Sequence, residues 1–174
     1  MTCYRSVSWL DPRIEIRSST VEGKGLFAKE RIKAGEVVST MGGEILSATA
    51  LDAVKARPKY SSAFITDDLI IVLRDDDPVT FGNHSCDPNL WMRDAVSEEA
   101  RRDIAPGEEL TVDYALHTDD PVWSMPCTCG SPLCRHVVRG DDWRLPEVQR
   151  RYAGHFSPFI NARIRRLTMP MSDE

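Results

Sequence analysis

Alternation of apolar and polar positions dominates the middle of the chain. "RIEIRSS" (13–19), "EVVSTM" (36–41) and "ELTVDYAL" (109–116) each alternate with the period of a half-buried strand. "AFITDDLIIVL" (63–73) is apolar at both ends and polar between, which suits a hairpin or one long bent strand. Two turns resemble each other, "RIKAGEVV" (31–38) and "DIAPGEEL" (103–110). Pro106 followed by Gly107 fits the central positions of a type II turn, so the likeness is one of turn chemistry and not of a repeated domain. Helical signals are fewer. "SATALDAVKARP" (47–58) offers Ser47 or Thr49 as a cap and Pro58 past its end; "LPEVQRRYAGHF" (145–156) has Pro146 in its first turn; "SPFINARIRRL" (157–167) follows. The pattern predicts a mainly β chain with a few short helices, the last two forming a C-terminal helical appendage whose arginines face solvent.

Composition narrows the class. A chain of 174 residues with 41% hydrophobic positions suits one core with an appendage. No run is apolar for long enough to cross a membrane, and "MTCYRSVSWLDPR" (1–13) lacks a basic start before an apolar stretch. An intracellular location is expected, in the cytoplasm or, in a eukaryote, the nucleus. A formal net charge of −5 argues against direct nucleic-acid binding, which needs a basic face. The acidic pairs and runs at Asp67–Asp68 and Asp75–Asp77 read first as solvated loops, and second as a rim that attracts a basic peptide. Nothing in the pattern fixes an oligomeric state.

The cysteines carry a stronger signal. Cys127, Cys129 and Cys134 in "PCTCGSPLC" form a C-x-C-x4-C pattern. Inside a cell such clusters bind metal more often than they form disulfides. Structural zinc takes about four thiolate or imidazole ligands in a tetrahedron, so three cysteines leave one position to be filled from elsewhere. Cys86, Cys3, His136 and His117 are the candidates. A rival reading takes Cys86 as a nucleophile with His84 as its base, since residues two apart share a strand face.

"GKGLFA" (23–28) matches a dinucleotide-binding fingerprint, yet at most "FAKERIKA" (27–34) separates it from the next strand signal. That is too short for the crossover helix the fingerprint requires. The glycines are better read as letting backbone approach some other ligand closely.

Three separated stretches, "VEGKGLFA" with "GGEI", then "FGNHSCDPNLW", then "GEELTVDY" followed by "PCTCGSPLC", resemble the SET domain lysine methyltransferases with a post-SET zinc segment. The likeness runs from about Arg13 to about Val138. It implies a SET-domain fold of small twisted sheets around a knot-like crossing over residues 13–116 and a post-SET zinc loop over 123–139; the helical appendage read from the pattern then occupies 140–174. It implies S-adenosylmethionine as methyl donor and, as partner, a protein or peptide substrate presenting a lysine, histone-like or not. By the same resemblance, the backbone of Lys24, Gly25 and Leu26 cradles the cofactor and Asn83 and His84 hydrogen-bond it. Tyr114 is the catalytic tyrosine, and Cys86 joins Cys127, Cys129 and Cys134 around structural zinc, leaving Cys3 spare. Tyr60 is the candidate for a second tyrosine near the cofactor, and Trp91 either lines the lysine channel or sits in the core. Two positions depart from the pattern: Val112 stands where the family has Phe or Tyr, and Met41 stands where it has a tyrosine before G-E. A chain that kept the fold without catalysis would instead be a module binding a basic peptide.

Overall fold

The computed structural model describes residues 4–57 and 60–168. Cys3 and Pro58 lie outside them. Among the described residues, thirteen short strands form four small sheets. The first sheet runs β1 (Trp9–Leu10), β4 (Val37–Thr40), β10 (Ser97–Ala100), β9 (Leu90–Met92), all antiparallel. The second runs β2 (Ile14–Ser18), β3 (Lys24–Ala28), β11 (Glu109–Val112), β8 (Asn83–His84). β11 meets β3 antiparallel and β8 parallel. The third is β5 (Glu44–Ser47), β7 (Leu69–Leu73), β6 (Ser61–Phe64), and the fourth is the hairpin of β12 (Ser124–Pro126) and β13 (Val137–Arg139).

"AFITDDLIIVL" resolves as a hairpin, with Phe64 opposite Ile70 and acidic residues at the bend. β7 is buried along most of its length because β5 and β6 flank it on both edges. The expected first helix is short. Ser47 caps a 3-10 turn at Ala48–Ala50, accepting from Thr49 N, and that turn leads into α1 (Leu51–Lys55), which has no side-chain cap of its own. The two similar turns pack against each other. Ile32 and Ile104 exchange both backbone hydrogen bonds, at 2.9 and 3.0 Å, and both turns carry glycine at φ 82°. Gly107 closes a turn in which Glu108 N donates to Ala105 O at 3.1 Å, as the Pro-Gly pair predicts.

The tail is helical as expected, in α2 (Pro146–Arg151) and α3 (Pro158–Thr168). Its packing goes beyond an appendage. Trp143, Val148, Tyr152 and Ile160 are fully buried in the same core as Leu26, Val38 and Leu110. A buried aromatic removes on the order of 150–250 Å² from water, and at about 25 cal/mol per Å² that is several kcal/mol each. The core therefore includes the tail. The tail's arginines are also tied down: Arg163 reaches Asp119 at 2.9 Å and Asp67 at 3.3 Å, and Arg166 reaches Asp67 at 2.8 Å. Of the acidic loops, Asp68, Asp75 and Asp76 are exposed, whereas Asp77 is buried and caps the 3-10 turn Pro78–Phe81.

Candidate active site and metal centre

The parallel pairing of β8 with β11 is the crossing around which the site is built. Asn83 sits beside Thr111 and His84 beside Val112. Parallel neighbours cannot be joined by a tight turn, so the chain loops away through β9 and β10 before returning. Asn89, buried just after Pro88, stitches the loop shut. Its amide donates to Glu109 O at 2.8 Å and Glu108 Oε1 at 2.9 Å, and its oxygen accepts from Thr111 N at 2.9 Å. The side chain thus completes backbone hydrogen bonds that β11 would otherwise lack.

Tyr114 leaves β11 at the start of the 3-10 turn Tyr114–Leu116, which Asp113 caps through Ala115 N. The Tyr114 hydroxyl donates to Gly82 O at 3.0 Å. Burial pushes this phenol up to about 12, reinforced by the negative charges of Glu22 and Glu98. It stays protonated at neutral pH and is no general base. It faces a cavity of about 360 Å³ whose walls include Met41, Phe64, Glu98, Val112, His117 and Trp123. Tyr60 is exposed and lies on the wall of the same cavity. Trp91 does not line it: its ring stacks on His155 at 3.3 Å between centroids, and Nε1 donates to Glu99 at 2.9 Å. Trp91 is partly buried and packs against the main core.

The glycine loop enters β3, which pairs antiparallel with β11 in the same sheet. Asn83 Nδ2 donates to Glu109 Oε1 at 2.7 Å and to Lys24 O at 3.1 Å. A Cβ on Gly25 would stand 2.1 Å from Glu109 Oε1 and 3.1 Å from Asn83 Nδ2, so only glycine leaves room for these groups. Glu109 is a site residue that the sequence reading passed over; its place within "GEELTVDY" was the available signal. The His84 side chain is turned the other way. It is buried, Nδ1 accepts from Tyr114 N at 3.3 Å, and Nε2 lies 3.3 Å from Cys86 Sγ. Desolvation lowers its pKa to about 4, which keeps it neutral with Nε2 protonated toward the sulfur. Both ring nitrogens of His84 are thus occupied within the chain.

Cys86, Cys127, Cys129 and Cys134 bring their sulfurs within 4.8 Å of one another. The Cys86–Cys127 separation is 3.9 Å, close to the ~3.8 Å edge of a tetrahedron with bonds of about 2.3 Å. The β12–β13 hairpin holds the loop, with Cys127 N donating to His136 O at 2.8 Å. His136 and His117 stand outside the cluster, and the candidates for its fourth member reduce to Cys86 among the described residues. Cys86 is fully buried against the other sulfurs, and burial pushes its thiol up to about 11. A nucleophile needs an accessible thiolate, so the hydrolase reading fails on geometry.

One network joins the two centres. Arg135, in the cysteine loop, donates to both oxygens of the buried Asp113 and lies 2.8 Å from Asp142. Tyr152 and Arg151, from the tail, reach the Cys86 carbonyl at 3.3 and 2.9 Å.

Residues 23–115 match the SET domain family. Histone-lysine N-methyltransferase TRX1 of Oryza sativa subsp. japonica is 35% identical over 142 residues, covering 72% of this chain and 14% of that protein. Histone-lysine N-methyltransferase 2B of Homo sapiens is 33% identical over 141 residues, 72% of this chain and 5% of that protein. The chain thus spans a small part of the length of these relatives. The methyltransferase domain of human Histone-lysine N-methyltransferase SETMAR superposes with a TM-score of 0.56 and 25% identity, over 73% of this chain and 58% of that one.

Proposed function

Because the chain belongs to the SET domain family through residues 23–115, we propose that it is an S-adenosylmethionine-dependent methyltransferase acting on a lysine side chain of a protein. The observation that carries this reading is the crossing. Its pairing ties Asn83, which bonds the glycine loop at Lys24 O, to the strand that leads into Tyr114 and its cavity.

When bound, S-adenosylmethionine supplies a methyl group on a sulfonium centre. The chain's own residues do the rest. The carboxylate of Glu109 and the carbonyl of Lys24 converge on Asn83 and are acceptors suited to the cofactor's ammonium group. The apolar walls of the cavity, among them Met41, Phe64 and Val112, disfavour a charged lysine and so favour the neutral amine that can attack. Tyr114 commits its proton to Gly82 O, which leaves its oxygen to accept from the amine and orient it for in-line attack. Cys86, Cys127, Cys129 and Cys134 would hold a structural zinc ion, which would tie the loop to β8. The relatives named for histone-lysine methylation support a lysine in a basic segment, histone-like or otherwise.

The test is incubation with cofactor carrying a labelled methyl group and a panel of basic proteins, with Tyr114→Phe alongside. Wild-type protein should label a lysine, and the variant should lose roughly 100-fold or more in kcat. Equal labelling by both removes Tyr114 from this role; none by the folded, zinc-loaded wild type removes the reading.

A further inference from the structure

We propose that Glu98 accepts the proton of the substrate ammonium within the cavity, so that the lysine meets Tyr114 as a neutral amine. This deepens the methyltransferase reading and rests on it. Lysine in water carries a pKa of about 10.4, and apolar walls alone discourage the ammonium without giving its proton a destination.

Glu98 stands on β10 directly opposite Ser39 on β4. Ser39 Oγ donates to its Oε2 at 2.7 Å. Its Oε1 has no hydrogen-bond partner among the described residues, and the side chain lines the cavity that Tyr114 faces. The other titratable or charged groups on that wall are Lys55, Tyr60, Tyr114, His117, Asp119 and Asp120. None of them bonds to Glu98. Asp120 holds Lys55, and Asp119 is shared between Arg163 and Trp143 Nε1. Tyr114 stays protonated, and desolvation lowers His117 to about 4, which makes it a weak acceptor. Glu98 is left as the carboxylate with a free oxygen. Desolvation raises its pKa, partly opposed by the Ser39 hydrogen bond, and this narrows the gap to a lysine ammonium.

In the transfer, an N–H bond of the ammonium breaks, its electron pair stays on nitrogen, and the proton bonds to the Glu98 carboxylate. The neutral nitrogen then forms its bond to the methyl carbon as the methyl–sulfur bond breaks, that pair leaving on sulfur. Glu98 returns its proton to water through the cavity mouth.

The test compares kcat/KM against pH for wild type, Glu98→Gln and Ser39→Ala on one methylated peptide, with melting curves to establish folding. Glu98→Gln should lose roughly 100-fold at pH 7, and the deficit should shrink as pH approaches about 10.4, where free lysine is already neutral. Ser39→Ala removes a bond that favours the charged carboxylate, so its acid limb should move to higher pH. Independently of turnover, the Glu98 carboxyl carbon followed by NMR should titrate above about 4.3, the ordinary glutamate value. It should also shift with a lysine peptide but not with its norleucine counterpart. A Glu98→Gln protein matching wild type in rate and profile overturns the assignment and leaves the methyltransferase reading standing. If Glu98→Gln does not fold, an unmoved acid limb in Ser39→Ala overturns it. A wild type that methylates nothing fails the underlying reading instead.

Discussion

Asp113 accepts two parallel hydrogen bonds from the Arg135 guanidinium, Nη2 to Oδ1 and Nη1 to Oδ2, each at 2.7 Å. Asp113 immediately precedes Tyr114, and Arg135 immediately follows Cys134. The pair therefore couples the proposed catalytic tyrosine to the proposed zinc loop through two buried charges. Removing one partner of such a pair strands the other without solvent, which typically costs about 3–5 kcal/mol. Arg135→Ala should lower the unfolding free energy by about that amount in urea titrations of zinc-loaded protein. A change below about 1 kcal/mol would mean the pair is not a structural tie.

The metal centre should act on the cofactor site at a distance. Cys86 is two residues from His84, whose backbone runs beside Val112, and Asn83 follows the same strand. Metal analysis should find about one zinc ion per chain. Stripping it with a chelator, or replacing Cys86 by Ser, should weaken S-adenosylmethionine binding in calorimetry by roughly 10-fold or more. Unchanged affinity after complete zinc removal would separate the two centres.

Acid should destabilise the fold partly through His117. Burial, the largest influence, lowers its pKa from 6.5 to about 4, with the charge of Asp113 opposing only in part. Above pH 6.5 the imidazole is neutral in both folded and unfolded chains, and its contribution is fully present. Between 6.5 and about 4 the unfolded chain binds a proton that the folded chain does not, so stability falls as pH falls. The loss is complete below about 4 and is bounded by about 3 kcal/mol. His117→Gln should flatten this part of the stability–pH curve. His84, lowered in the same direction, should keep part of the slope. An identical curve for the variant would rule out His117 as a contributor.

Truncation should show that the tail is part of the core. Ending the chain at residue 140 removes Trp143, Val148, Tyr152 and Ile160 from the main cluster and frees the Cys86 carbonyl from Arg151 and Tyr152. The truncated protein should lack a cooperative melting transition. A truncated chain that melts like the full one would make the tail a separate layer after all.

Local chemistry was legible in the chain itself. Alternation marked β2, β4 and β11, the Pro106–Gly107 turn closed as its residues require, and Ser47 and Pro146 opened the helices they were expected to open. C-x-C-x4-C spacing announced a thiolate cluster, because loop spacing alone brings those sulfurs together. Tertiary structure decided which partner each group met. Spacing left Cys86, Cys3, His117 and His136 open as the cluster's fourth member; among the described residues the parallel pairing of β8 with β11 carries Cys86 there while His117 turns to the cavity. The same pairing turns the His84 side chain toward sulfur. Glu98, Glu109 and Arg135 read as ordinary charged residues in sequence. Their roles arise because long-range pairing sets them beside partners 59, 26 and 22 positions away, namely Ser39, Asn83 and Asp113. Periodicity marks a segment as a strand, since that is a local property, but β2 buries Ile14 and leaves Ile16 exposed. It does not record which distant strand covers the face, because that is settled by long-range backbone pairing and by which buried charges find compensation.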